Sequence, residues 1–347
     1  MKVAVLPGDG IGPEIIAQAR RVLDQLNLKI EFTEALVGGA AYERTGHPLP
    51  EKTLRVAKDA DAILFGAMGW PEIRYPDGTE IAPQLDLRVR LELYAGVRPC
   101  RAIPGIPLPL ADARASEIDL VVVRESTEGL FASRGKGVVE ADREARDTMV
   151  ITRKGSERVH DFSFRLAAKR RKRMVTCVDK ANVFASMAFF RKVFYEVAQR
   201  HPGVHANHHY IDAAALDMVR KPWEFDVLVT ENMFGDILSD LTAALIGGMG
   251  MPPSGDIGDD HGLFQPCHGS APDIAGQGKA NPTACILSGA MMLDWLAGRS
   301  QDEALAQAAN RIERAVDEAF ASKRIKPFEF GGSSGTRAIR DAVLSNL

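Results

Sequence analysis

Short apolar runs alternate with helix-like segments along the whole chain, and this alternation is the strongest constraint on its fold. Several runs end directly at polar or charged residues. The strand-like runs lie at 2–6, 30–35, 60–65, 120–123, 174–178 and 225–230. The alternation predicts an α/β fold with a largely parallel sheet covered on both faces. Such sheets bind ligands beyond the carboxyl ends of their strands, where these polar residues fall.

Two segments rich in proline or glycine divide this pattern. One lies at 98–109, and the other reads GGMGMPPSGDIG at 247–258. Such compositions are typical of loops and linkers. We therefore predict a discontinuous domain of residues 1–98 and 250–347 and a central domain of residues 99–249.

Charge and composition exclude several classes of protein. The 347 residues carry a net charge of -3, which gives no reason to expect a nucleic-acid partner. The basic run at 169–173 follows a helix pattern, so we interpret it as a solvated helix end. No run reaches the roughly 18 apolar residues that span a membrane. The four cysteines form no C-x-x-C pair, which favours a cytoplasmic location.

A glycine-rich segment, GDGIG at 8–12, joins the first strand to the first helix. It lacks the G-x-G-x-x-G spacing of a dinucleotide-binding loop, and Pro13 follows at once. Proline is favoured in the first turn of a helix. A tight structural turn near the ligand cleft is therefore the favoured interpretation, and a Rossmann phosphate loop is the alternative.

Two carboxylates, Asp236 and Asp240, lie four residues apart in NMFGDILSDL at 232–241. A helix places both on one face, where like charges repel unless a cation lies between them. Mg²⁺ and Mn²⁺ prefer such oxygen ligands. The alternative is a solvated acidic face, although the rest of the helix is apolar. Asp212 is a possible third carboxylate, which spacing alone does not pair with the others.

Three arginines and one loop are weaker candidates for a binding site. Arg88 and Arg98 flank the segment LELYAG, and Arg124 lies at the end of an apolar strand. Guanidinium groups near strand ends suit the bidentate capture of carboxylates. The glycine-bounded loop at 268–273 could wrap a nucleotide with its backbone amides. Each of these features also has ordinary structural uses.

Taken together, these segments resemble the β-decarboxylating dehydrogenases that act on isopropylmalate, isocitrate, homoisocitrate, tartrate and D-malate. The resemblance runs from LPGDGIGPE at 6–14 to NPTACILSGAMML at 281–293. Its most specific motifs are VDKAN at 178–182, FGDILSD at 234–240 and HGSAPDIAGQGKANP at 268–282. The family fold has two domains, parallel and mixed sheets, and no Rossmann nucleotide site.

The resemblance implies a cofactor and a dimer. It implies that NAD contacts His268, Gly269, Ser270, Ala271, Asp273, Ile274, Asn281 and Asn182. Users of NADP carry a lysine and a tyrosine in place of Asp273 and Ile274. Because a carboxylate repels the 2′-phosphate of NADP, NAD is favoured. The family is homodimeric, and the positions matching Lys180 and Asp212 enter the active site of the neighbouring subunit.

The resemblance also implies a mechanism for a small hydroxy diacid. Arg88, Arg98 and Arg124 would hold the malate-like carboxylates. Asp236, Asp240 and the neighbour's Asp212 would hold Mg²⁺ or Mn²⁺, which acts as a Lewis acid on the C2 oxygen. Lys180 would take the hydroxyl proton, hydride would pass to NAD, and CO₂ would leave C3.

One position departs from the family pattern. A tyrosine usually follows seven residues after the arginine matching Arg124 and helps to protonate C3, but this chain has Phe131, which donates no proton. We favour an active enzyme with an altered final step, in which water, Lys180, Ser126 or Ser133 supplies the proton. A substrate that needs no decarboxylation is one alternative, and a non-catalytic homologue that binds NAD is another.

The substrate's third group is selected by the segment before Arg88. Isopropylmalate enzymes have leucines there, and isocitrate enzymes have serine and asparagine. This chain reads IAPQLDLR at 81–88, with the polar, uncharged Gln84, and GAMGWPEIRYPDG at 66–78 is similar to tartrate and D-malate dehydrogenases. We therefore expect a small or polar malate derivative to be favoured over isopropylmalate.

Overall fold

The computed structural model describes all 347 residues, Met1–Leu347. The strands are β1 (Lys2–Gly8), β2 (Glu31–Glu34), β3 (Ala62–Ala67), β4 (Ala95–Arg101), β5 (Asp119–Glu125), β6 (Val138–Glu140), β7 (Glu144–Arg146), β8 (Met174–Asp179), β9 (His205–Tyr210), β10 (Val227–Thr230), β11 (Pro253–Ile257) and β12 (Gly262–Pro266). The α-helices are α1 (Gly12–Gln25), α2 (Gly39–Thr45), α3 (Glu51–Lys58), α4 (Pro83–Arg90), α5 (Arg153–Ala168), α6 (Ala185–Ala198), α7 (Ile211–Arg220), α8 (Asn232–Leu245), α9 (Thr283–Ser300), α10 (Glu303–Ala321) and α11 (Thr336–Leu344). None of the helices combines the length and apolar character needed to cross a membrane.

The chain divides into two compact units. The first comprises Met1–Leu93, Ala102–Pro109 and Ile246–Leu347, and the second comprises Tyr94–Arg101 and Leu110–Leu245. These limits differ from the expected ones at 98 and 250. All of β4 lies in the second unit because it pairs along its whole length with β5.

The first unit contains a sheet in the order β2-β1-β3-β12-β11. The first four strands are parallel, and β11 runs antiparallel to β12. Every residue of β3 is buried, as expected for a central parallel strand covered on both faces. Its side chains pack in a core with Leu6, Leu54, Leu87 and Leu263.

The second unit contains a sheet in the order β4-β5-β10-β8-β9, in which only the β4–β5 pair is antiparallel. The core of this unit includes Phe164, Phe190 and Phe194, which are almost completely buried. Strands β6 and β7 form a separate two-stranded ribbon. The prediction of an α/β fold with parallel and mixed sheets is confirmed.

The basic run at 169–173 lies between α5 and β8, and all of its residues except the half-buried Arg170 are exposed, as expected for a solvated helix end. Arg170 donates to the carboxylates of Asp226, at 2.6 Å, and Asp119, at 2.8 Å. The Lys172 ammonium donates to the backbone carbonyls of Trp223, at 2.7 Å, and Phe225, at 2.5 Å. These two cations therefore join the helix end to neighbouring segments of the same unit.

Candidate functional site

The glycine-rich segment at 8–12 lies directly against the loop that contains Ser270, within the first unit. The Ile11 amide donates to the Ser270 carbonyl at 2.8 Å. A Cβ atom on Gly10, whose φ is +54°, would lie 2.1 Å from that carbonyl oxygen. A Cβ on Gly8 would lie 2.1 Å from the Ala67 carbonyl oxygen. The glycines thus permit close contact between backbone segments, which supports a structural turn rather than a Rossmann loop.

Asp9 is a buried residue of this turn that the sequence did not single out. Its carboxylate accepts the backbone amides of Gly39, at 2.8 Å, and Gly69, at 3.3 Å. It therefore ties together loops that are 30 and 60 residues away along the chain. An acid between two glycines after a strand was the only available signal, and it carried no information about these distant partners.

A cavity of about 380 Å³ lies beside this turn in the first unit. It is lined by Ile11, Met249, Gly250, His268, Gly269, Ala271, Ile274, Lys279, Ala280, Asn281, Phe328 and Glu329. The structure thus brings five predicted cofactor residues together: His268, Gly269, Ala271, Ile274 and Asn281. Ser270 is buried beside them with its hydroxyl bonded to the Gly69 carbonyl, and Asp273 is exposed on a short 3₁₀ turn.

His268 has an unsatisfied nitrogen. Its Nδ1 lies 2.8 Å from the Gly269 carbonyl oxygen, which can only accept, so this nitrogen carries the proton. Burial lowers the pKa of His268, which favours the neutral ring. The Nε2 atom is enclosed and has no hydrogen-bond partner. This acceptor in the cavity wall is consistent with a polar ligand.

Asn281 is already held by contacts within the chain. Its Oδ1 accepts the Thr283 hydroxyl at 2.6 Å and the Thr283 amide at 3.1 Å, at the start of α9. Its Nδ2 donates to the carboxylate of Glu329. Enclosure raises the pKa of Glu329. Glu329 was not predicted because it belongs to no motif and lies 48 residues further along the chain.

The acidic helix α8 packs closely against β5 in the second unit. A Cβ on Gly235 would lie 2.6 Å from the Cβ of Arg124, so glycine permits this approach. Arg124 Nε donates to Asn232 Oδ1 at 2.7 Å, and its Nη1 pairs with Asp236. Arg124 therefore already provides one positive charge beside the carboxylate pair.

Asp236 and Asp240 share one face of α8, as predicted. Partial burial and the neighbouring charge of Asp236 raise the pKa of Asp240, while Arg124 and Arg98 act in the opposite direction. Two carboxylates on one helix face, only partly neutralised by Arg124, are a donor set that suits a hard divalent cation. Within this single chain, however, no three His, Cys, Asp or Glu side chains are grouped to hold a metal, so Asp212 does not join them here.

Lys180 and Asp212 form an ion pair in the second unit. Lys180 follows β8, Asp212 lies in the first turn of α7, and Nζ and Oδ1 are 2.8 Å apart. The hydrogen bond from Lys180 is the main cause of a lowered pKa for Asp212. Asn182, predicted as a cofactor residue, is exposed in the turn after Lys180.

Of the predicted substrate residues, Arg88 and Gln84 lie in the first unit and Arg98 in the second. Arg88 lies in the last turn of α4. Arg88 is buried and donates from Nε to Asp256 at 2.9 Å. Gln84 lies one turn earlier on α4, and its enclosed Oε1 has no hydrogen-bond partner. Arg98 is in the middle of β4.

The ring of Phe131 lies beside Arg124, with 5.0 Å between the ring centroid and the guanidinium carbon. The two predicted alternative donors are engaged locally. The Ser133 hydroxyl donates to the Thr148 carbonyl at 2.6 Å. The Ser126 hydroxyl donates to the carbonyl of Arg124 at 3.3 Å. Both hydroxyl protons are therefore directed at backbone carbonyls and not toward a substrate.

Comparison with known proteins assigns this architecture to a class. The family model described as isocitrate/isopropylmalate dehydrogenase matches residues 2–343, and the chain belongs to this family. The resemblance that the motifs predicted is therefore confirmed. Membership of this family supports the assignment of the protein as a β-decarboxylating dehydrogenase.

Individual relatives match along their whole length. The 3-isopropylmalate dehydrogenase of Zymomonas mobilis is 43% identical over 356 residues, which cover 100% of both chains. That of Aquifex aeolicus is 42% identical over 361 residues, covering 100% of this chain and 97% of the relative. The crystal structure of isocitrate dehydrogenase from Methylococcus capsulatus has a TM-score of 0.89 at 38% identity, covering 99% of this chain and 98% of that one. The predicted family fold is thus confirmed.

Proposed function

We propose that this protein catalyses the NAD- and divalent-metal-dependent oxidation of a (2R)-hydroxy diacid of the malate type, with loss of CO₂. The Lys180–Asp212 ion pair carries the proposal, because it places a lysine, which can act as a base once its ammonium has lost a proton, beside a carboxylate that can bind a metal. The carboxylate pair of α8 and the glycine-lined cavity add the other required parts.

The cavity supports NAD as the cofactor. Its apolar wall includes Ile11, Ile274 and Phe328, and the free acceptor of His268 offers a polar contact. Asp273 is the proposed partner of the ribose hydroxyls, and its charge disfavours the 2′-phosphate of NADP. The carboxamide of Asn281 is oriented by Thr283 and Glu329 before any ligand binds, which lowers the entropy lost on binding.

Each group of site residues would have a separate role in the proposed reaction. A divalent ion held by Asp236, Asp240 and the neighbouring subunit's Asp212 would supply Lewis acidity, and NAD would accept the hydride. Arg88, Arg98 and Arg124 would bind the substrate carboxylates. Lys180 would take the proton of the C2 hydroxyl, and Asp212 would hold the Lys180 amine in place. This arrangement requires a homodimer with shared sites, and we further propose a cytoplasmic location.

The side chain carried on the malate core would distinguish the candidate substrates. Gln84 presents an enclosed, unpartnered amide oxygen four residues before Arg88, so both lie on one face of α4. An acceptor there favours a polar or small substituent such as that of tartrate or D-malate. The relatives named 3-isopropylmalate dehydrogenase favour 3-isopropylmalate. Both kinds of substrate therefore belong in the test.

The deciding experiment follows NAD reduction and CO₂ release together. Purified protein with Mn²⁺ is given D-malate, tartrate, 3-isopropylmalate, isocitrate or homoisocitrate, with NADP in parallel. We expect NADH and CO₂ in equal amounts on one of these substrates. NADH without CO₂ would contradict decarboxylation and identify an altered final step.

A second candidate is a non-catalytic homologue that binds NAD, and the observation that favours it is Phe131 beside Arg124. It predicts binding of NAD, measured by calorimetry, with no NADH formed on any of the five substrates. Turnover on any one of them excludes it.

A further inference from the structure

A buried ion pair lies at the carboxyl end of β8, directly before Lys180. Asp179 is completely buried. Arg191, on α6, donates to it through two nitrogens, from Nε to Oδ2 at 2.7 Å and from Nη2 to Oδ1 at 2.5 Å. This bidentate geometry fixes both side chains more tightly than a single contact would.

The same carboxylate controls the backbone around Lys180. Asp179 Oδ1 accepts the amide of Ala181 at 2.8 Å, so the hydrogen bond closes over Lys180. The direction in which Lys180 leaves the strand therefore depends on where Asp179 is held. Arg191 is the cation that holds it.

Arg191 also reaches the segment that carries Asp212. Its guanidinium carbon lies 4.9 Å from the ring centroid of Tyr210, which ends β9 two residues before Asp212. Tyr210 is the register partner of Asp179 in the parallel β8–β9 pair. One guanidinium thus contacts the ends of both strands from which Lys180 and Asp212 emerge.

We propose that Arg191 is a positioning residue that, through Asp179 and Tyr210, fixes Lys180 and Asp212 relative to each other. The inference rests on the proposed function for the role of Lys180. Burial of an ion pair carries a desolvation cost and is weak evidence for stability. A role in placing the two neighbouring functional groups explains why this one is bidentate and spans two strand ends.

The test compares Arg191→Lys in two backgrounds. Lysine keeps the positive charge beside Asp179, so folding is maintained, but it lacks the planar fork. In the parent protein, which retains Lys180, we expect Arg191→Lys to lower kcat about tenfold and to change KM for NAD less than twofold. In the Lys180→Ala background the residual kcat should not change further, because the positioned group is gone. The control is Lys192→Gln, next on α6 with a 67% exposed side chain, which should leave kcat unchanged.

Equal losses of kcat in both backgrounds, or no loss in either, would overturn the inference, because a general structural defect acts on both. Melting temperature reports that defect separately.

A second measurement does not depend on turnover. Acetylation of metal-free protein, mapped by mass spectrometry, measures the reaction of Lys180 relative to Lys192. The side chain of Lys180 is 24% exposed and ion-paired, so it should react slowly in the parent protein. In Arg191→Lys its rate relative to Lys192 should rise several-fold, and an unchanged ratio would contradict the proposal. If the parent protein oxidises none of the five substrates, the proposed function fails while this measurement still decides the positioning.

Discussion

At the scale of single residues, Phe131 is the position that bears on the final step of the proposed reaction. Phe131 keeps an aromatic ring beside Arg124 but has no hydroxyl. The hydroxyls of Ser126 and Ser133, which sequence reasoning offered as substitutes, both donate to backbone carbonyls. Water and Lys180 therefore remain the favoured proton sources at C3.

In the proposed reaction, Phe131→Tyr should speed the protonation of C3 and raise kcat about tenfold, which is less than the roughly 10²–10⁴-fold that a placed general acid contributes. The measurement is kcat for formation of the decarboxylated product at saturating NAD. Phe131→Leu is the control, because it removes the ring without adding a donor. An unchanged rate in the tyrosine variant would count against the assigned role of this position.

His160 gives a residue-scale prediction about stability. It is completely buried, its Nε2 lies 3.1 Å from the Phe190 carbonyl oxygen, and burial lowers its pKa from 6.5 to about 3. Above pH 6.5 the ring is neutral in both states. As the pH falls through 6.5 only the unfolded state takes up the proton, so the unfolding free energy decreases, by about 2 kcal/mol at pH 5.

Urea unfolding at pH 7 and pH 5 measures this loss. His160→Leu should be less stable at pH 7 but should lose about 2 kcal/mol less between the two pH values. The exposed His47→Gln is the control and should retain the parent dependence. If the unfolding free energies of the parent and of His160→Leu fall by the same amount between pH 7 and pH 5, the His160 ring is not held neutral in the folded state.

At the scale of elements, the approach of α8 to β5 sets the position of the acidic pair. Gly235 is the contact point, and Arg124 lies directly opposite. The helix itself follows from an apolar sequence with two acids at i and i+4. The short distance between α8 and β5 depends on Gly235, which has no side chain.

Gly235→Ala should therefore displace Arg124 or α8, with a loss of about 1–3 kcal/mol in unfolding free energy, as in other overpacked cores. Activity should fall further than stability predicts, because Asp236 pairs with Arg124. Gly298→Ala in α9 is the matched control, since its Cβ would meet nothing within 4 Å. That change should be neutral or stabilising by up to about 1 kcal/mol. Equal melting temperatures and activities for the two variants would contradict the close contact.

At the scale of the whole molecule, the proposed site needs two chains. Lys180 and Asp212 are already paired within one chain, so one subunit would contribute them together. The single chain does not group Asp212 with Asp236 and Asp240. A shared site in a symmetric dimer accounts for both observations.

Mixed dimers test this sharing. Co-expression of Lys180→Ala with Asp236→Ala should restore about a quarter of parental activity, because random pairing makes half the dimers mixed and each has one intact site. Co-expression of Lys180→Ala with Asp212→Ala should restore none, since every site then receives a defective pair. Recovery in the second mixture, or none in the first, would exclude the shared arrangement.

The sequence by itself determined the alternation of strands and helices, the helical face shared by Asp236 and Asp240, and the family. These depend on local periodicity and on motifs whose residues are close in the chain, so they can be read without long-range contacts. Even the short edge strand β2 was predicted to within one residue at each end.

Only the tertiary structure decided which distant residues complete each site. Local spacing predicts none of the long-range partners in these sites. They are Asp9 with Gly69, Asn281 with Glu329, and Asp179 with Arg191 and Tyr210. The buried partner of Arg88, Asp256, could not be predicted for the same reason, since it lies 168 residues away. A buried charge or polar group requires a partner, but the fold alone determines which partner comes within hydrogen-bonding distance.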